Sequence, residues 1–143
     1  MSIALVASLR SEDPYLQVGA AAFDAEYRLL STGYNGLKSG FSLTRKEWKD
    51  RDGRLPFILH AELNCLSRCV RGEVKIIAVT TLPCGSCASA IVAHGIETVL
   101  YGQPYHRDSS SLTVFKRYGI KVKLVPAART ANGIAAALSR IYP

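Results

Sequence analysis

The chain has 143 residues, a hydrophobic share of 48% and a formal net charge of +7, which suits one domain with a single buried core and leaves no room for several. No apolar run reaches membrane-spanning length and the apolar start at 1–9 lacks the basic n-region and cleavage site of an export signal; four cysteines could form two disulfides in a secreted protein, but a C-x-x-C after a proline without such a signal reads better as metal-binding, so a cytoplasmic protein in reducing surroundings is expected. The positive balance calls for a polyanionic partner without separating a nucleotide phosphate from a nucleic-acid backbone.

Residues 3–9 are compatible with a helix. Apolar runs predict strands at 18–24 and 29–33, joined by a turn at Ala25-Glu26. A long polar connection, 38–56, carries Lys38, Arg45, Lys46, Lys49, Arg51 and Arg54, interrupted by Glu47, Asp50 and Asp52. That pattern reads either as a solvated face or as a surface that meets phosphate. Periodicity then predicts a helix at 61–71, a strand at 75–80, a helix at 84–94, a strand at 98–101, a helix at 110–118 and a strand at 121–125. Gly95 and Gly119 each follow a helical pattern and precede a β-branched run, as a helix-stopping left-handed glycine does. The order ββαβαβαβ predicts an α/β sandwich. Residues 131–141 suit another helix, so 126–143 is expected as a helical appendage to a single domain spanning 1–143.

Two fragments carry chemistry: His60-Ala61-Glu62 and Pro83-Cys84-Gly85-Ser86-Cys87. A structural zinc is normally closed by four protein ligands, whereas a catalytic one keeps three and leaves a position for water. Here the count stops at His60, Cys84 and Cys87, and Glu62 remains for proton transfer. H-x-E followed by P-C-x-x-C is the signature of zinc deaminases acting on cytosine or adenine. On a regular helix, residues two apart point about 200° apart, so His60 must lie at or before the first turn if both side chains are to face one metal. Cys84 and Cys87, three apart, share a helix face. Both halves are therefore expected at helix N-termini, where partial positive charge favours thiolate. Zinc makes water nucleophilic at neutral pH, and Glu62 is expected to move its proton to a ring nitrogen and then to the departing amine. Cys65 and Cys69, four apart on the apolar side of the same helix, are assigned to the core. His94 beside Gly95 reads as a helix-end residue.

Beyond the zinc fragments, Ser11-Glu12-Asp13-Pro14, Gln17-Val18-Gly19-Ala20, Gly33-Tyr34-Asn35-Gly36, His60-Ala61-Glu62-Leu63-Asn64 and Gly95-Ile96 occur in order, and with them the chain resembles the deoxycytidylate deaminase family over about Ser11 to Val125. The resemblance implies a cytidine-deaminase-like α/β/α sandwich, with a mixed five-stranded sheet and helices on both faces. It implies hydrolysis of dCMP to dUMP with one catalytic Zn2+ per chain, and a homo-oligomer, commonly a hexamer. Gly33, Tyr34, Asn35 and Gly36 match a block associated with an effector site, where dCTP with Mg2+ activates and dTTP inhibits. Their bland reading is a tight loop in which Gly33 and Gly36 take positive φ. Substrate contacts are expected from Asn35, Ala61, Asn64, Tyr105, His106 and Arg107, with Arg107 on the 5′-phosphate. No nucleic acid or membrane partner is expected. The competing reading, a tRNA-adenosine or single-strand cytosine editing deaminase, shares the zinc pattern. The chain departs from the family at Cys65, where alanine is usual, at Leu37-Lys38, where proline is usual, and in its short gap from Glu62 to Pro83.

Overall fold

The computed structural model describes residues 1–142; Pro143, the last residue of the expected C-terminal appendage, lies outside them. Five strands, β1 (Gly19–Phe23), β2 (Leu29–Tyr34), β3 (Ile76–Val79), β4 (Thr98–Tyr101) and β5 (Lys121–Leu124), form one sheet in the order β2-β1-β3-β4-β5. β1 pairs antiparallel with both β2 and β3, while β3, β4 and β5 run parallel. The sheet is thus mixed, as expected.

Alternation along the strands fixes which helices cover which face. Ala20 and Ala22 of β1, Ile77 and Val79 of β3 and Val99 of β4 point to one side. They pack there against α4 (Ala61–Leu66), α5 (Gly85–Ala93) and α6 (Ser110–Arg117) through Cys65, Ile91 and Phe115. Each fully buried Ile, Val or Phe contributes about 1.5–3 kcal/mol by leaving water. Ala21, Ala78 and Leu100 point to the other side, where Ala4 of α1 (Ser2–Ser8) meets them. The C-terminal helix α7 (Ala127–Ile141) packs on α1. Helices therefore lie on both faces.

The small residues of β1 have a packing reason. A Cβ on Gly19 would collide with the carbonyl oxygen of Ala4 and the backbone of Ser8, so α1 lies directly on the strand. At Gly33 of β2 a Cβ would run into the Ala61 carbonyl and the Cys65 amide of α4. Gly33 and Gly36 are not left-handed, which corrects the expectation of positive φ at both; Gly95 and Gly119 are, with φ of 76° and 69°. Gly33 is needed for close approach of a helix, and Gly36 lies in extended pairing with Leu59 through bonds of 3.1 and 2.8 Å.

Three element boundaries differ from expectation. The helix expected to reach residue 71 ends at Leu66, where bonding tightens to i→i+3 pairs, Arg68 to Cys65 and Cys69 to Leu66, as fraying helix ends do. The polar connection is partly helical. Thr44 and Glu47 form a reciprocal capping box on α2 (Arg45–Lys49), and Asp50 caps α3 (Arg51–Arg54), followed by a 3-10 turn at Leu55–Phe57. The last helix starts at Ala127, four residues earlier than expected, directly after Pro126.

Candidate active site

His60 is the N-cap of α4 and Cys84 the N-cap of α5, both with extended backbone (ψ 147° and 172°), and neither side chain caps its own helix. That leaves the imidazole and the thiol free to turn toward each other. His60 Nδ1 lies 3.2 Å from Cys87 Sγ and 3.5 Å from Cys84 Sγ. The three ligand atoms all lie within 4.8 Å of one another, and no other group of three or more His, Cys, Asp or Glu among the described residues could hold a metal. A tetrahedral zinc, with Zn–S of about 2.3 Å and Zn–N of about 2.0 Å, holds its ligands about 3.5–3.8 Å apart. The donor set fits zinc.

The two thiols differ in their electrostatics. Hydrogen bonding from Cys87, opposed by burial and aided by His60, brings the Cys84 thiol down to about 4. The same bond, with burial, pushes Cys87 up, because the two sulfurs compete for one proton. The bond with Cys84 raises His60. Burial raises Glu62, which is 4% exposed and has the His60 imidazole as a partly compensating charge. Cys65, outside the cluster, is pushed up by burial to about 11 and packs in the core, as its helix position implies.

His60, Glu62 and Cys84 open onto a cavity of about 480 Å³. Of the residues expected to touch substrate, Asn35, Ala61, Tyr105 and Arg107 line it, and Asn64 and His106 do not. Asn64 instead donates to the Tyr34 carbonyl at 3.0 Å, tying α4 to the end of β2. His106 is exposed on the loop between β4 and α6. Asn35 is largely committed to the protein: Oδ1 accepts from Val18 N and Ser11 Oγ at 2.7 Å each, and Nδ2 donates to the Leu16 carbonyl at 2.8 Å. Its amide holds the 11–18 loop, with one N–H left over. Gly33, Tyr34 and Gly36 lie outside this cavity.

Sequence reasoning left two features of the site unassigned. Lys49, Arg51 and Arg54, counted only within a basic stretch, line the cavity; the Thr44-x-x-Glu47 capping box was the signal that their segment is ordered. Asp108 was passed over as well. Its carboxylate accepts from Gly85 N at 2.8 Å and from Ser110 N and Oγ at 2.9 and 2.6 Å. These bonds hold it below the usual carboxylate range, Ser110 first and Gly85 next. Asp108 thus fastens the loop bearing Tyr105 and Arg107 to the first turn of α5.

This fold and this donor set together define a class, the cytidine-deaminase-like zinc enzymes. The chain belongs to the cytidine and deoxycytidylate deaminase family, whose zinc-binding region model matches residues 1–103. It is 32% identical to the deoxycytidylate deaminase of Mus musculus over 131 residues, covering 84% of this chain and 74% of that protein. To the Homo sapiens deoxycytidylate deaminase it is 32% identical over 120 residues, 79% of this chain and 67% of that one. The crystal structure of the cyanophage S-TIM5 dCMP deaminase in complex with dCMP and dUMP superposes with a TM-score of 0.69 at 29% identity, covering 85% of this chain and 90% of that one.

Proposed function

We propose that this protein hydrolyses dCMP to dUMP and ammonia, with His60, Cys84 and Cys87 as the zinc ligands and Glu62 as the proton carrier. The observation that supports it most directly is the convergence of one histidine and two cysteines beside a buried carboxylate, in a chain related at 32% identity to deoxycytidylate deaminases. Bound zinc supplies the Lewis acidity that makes water a nucleophile at neutral pH. Glu62 accepts the proton of the attacking water and delivers it to N3 of the cytosine ring. As the C4–N bond breaks, Glu62 takes the proton of the new C4 hydroxyl and passes it to the departing amine, so that C4 keeps the water oxygen as a carbonyl. Burial suits Glu62 to this exchange, since a carboxyl raised above its ordinary value holds a proton more readily between taking and returning it. Asn35, Ala61, Tyr105 and Arg107 shape the cavity wall.

By resemblance at Gly33, Tyr34, Asn35 and Gly36 the reading extends to control by dCTP with Mg2+ and by dTTP, and by family membership to a homo-oligomer. No helix among the described residues is long and apolar enough to cross a membrane, which accords with a cytoplasmic enzyme. The deciding experiment offers dCMP, deoxycytidine, cytidine, dCTP and a stem-loop RNA to the zinc-loaded protein, with and without dCTP and dTTP as effectors. dCMP is expected to be turned over fastest. Faster deamination of the RNA would replace this reading with an editing activity.

A further inference from the structure

One buried cation in the cavity wall has no part in the proton chemistry. Arg54, at the end of α3, is 8% exposed and lines the same cavity as His60 and Glu62. Its guanidinium carbon sits 4.4 Å from the Tyr15 ring centroid and 5.9 Å from that of Trp48, so aromatic faces hold its plane. One terminal nitrogen donates to the Trp48 carbonyl at 2.9 Å. The other is 3.9 Å from Asp13 Oδ1, beyond hydrogen-bond distance, and that oxygen already accepts from Tyr15 N at 2.8 Å and Leu16 N at 3.3 Å. Nε is buried with no partner among the described residues.

A guanidinium offers five donors in a rigid fork. Unmet donors on a buried charge are costly, so a site built this way is complementary to an acceptor that brings its own negative charge. Lys49 and Arg51 in the same wall add to the positive potential. Arg107, by contrast, is an exposed side chain on a loop and must lose rotamer freedom to bind.

Building on the dCMP reading above, we propose that Arg54 is the residue that contacts the 5′-phosphate of the nucleotide, through its unbonded terminal N–H groups, and that Arg107 contributes less. Arg54 thereby sets the preference for a nucleotide over a nucleoside.

The test compares kcat/KM for dCMP with that for deoxycytidine in the zinc-loaded protein. In Arg54→Met that ratio is expected to fall at least about 30-fold, the worth of a charge-assisted bidentate contact. Arg107→Met should lower it less, and Arg54→Lys, which keeps the charge but not the fork, should fall between wild type and Arg54→Met. An unchanged ratio in Arg54→Met would overturn the proposal, as would a larger drop in Arg107→Met. Should Arg54→Met fail to fold, the wild-type protein still decides. Trp48 is the only tryptophan and its carbonyl binds Arg54, so its fluorescence should respond to dUMP at concentrations where deoxyuridine has no effect. Equal responses to both would overturn the assignment. A wild type that turns over deoxycytidine as well as dCMP would instead refute the substrate reading on which the proposal rests.

Discussion

The cavity has two kinds of wall. One is made by the first turns of α4 and α5, set on the sheet by Gly33 and by the apolar contacts of Cys65 and Ile91. The other is made by the 38–57 segment, short helices and a 3-10 turn that put Lys49, Arg51 and Arg54 against the same space. The first wall positions its groups by backbone geometry, so a few residues at set spacing suffice to specify it. The second positions them by capping, stacking and burial of a long side chain, for which no short motif exists. Reaction type is thus written at the helix ends, and substrate choice in the irregular segment.

The largest expected effect tests the first wall. Glu62→Gln should lower dCMP turnover by about 10²–10⁴-fold while metal analysis still finds one zinc per chain; retained turnover would remove Glu62 from the proton path. Cys87→Ser is expected to lose both zinc and turnover, which separates metal binding from proton transfer within the same wall. Next comes the seating of α4. Gly33→Ala forces a Cβ into the backbone of Ala61 and Cys65 and should destabilise by about 3 kcal/mol, at the upper end of ordinary overpacking, as read by urea unfolding; a neutral result would mean that α4 can lift without cost.

A smaller effect lies at the junction of the walls. Asp108→Asn, which turns one of the two oxygens that accept from Gly85 and Ser110 into a donor, should cost about 1 kcal/mol, the net worth of one hydrogen bond. Because the folded protein lowers this carboxyl, its stabilisation is complete above the ordinary aspartate value of about 3.9 and disappears as pH falls through the lower folded value. The stability difference between wild type and Asp108→Asn should therefore be present at pH 6 and shrink at the acid end of that window; a difference that grows on acidification would refute the assignment. The smallest effect is expected at His106→Ala. Its side chain does not line the cavity, so kcat/KM for dCMP should stay within about twofold, the range of ordinary surface substitutions.

Much of the sheet was legible because period-two runs and left-handed glycines are local signals; Gly95 and Gly119 stop α5 and α6 where expected. Gly33 and Gly36 were misread, since a glycine required by the close approach of α4 looks in sequence like one required by a turn. Asn64 and Asn35 show the same limit. Both carry groups suited to a sugar hydroxyl, yet Asn64 binds the Tyr34 carbonyl and Asn35 holds the 11–18 loop. A side chain's donors and acceptors are legible, but its partners depend on residues tens of positions away.

The sequence by itself determined the metal chemistry. Extended caps at His60 and Cys84 and helical spacing to Cys87 are local consequences of covalent geometry, and they hold for any chain that folds around them. Only the tertiary structure decided which of the cavity's cations is buried and held in place. Arg54 and Arg107 are chemically identical, and what distinguishes them is that Tyr15, Trp48 and Asp13, brought together by folding, bury one guanidinium and fix its plane, while the other stays in solvent.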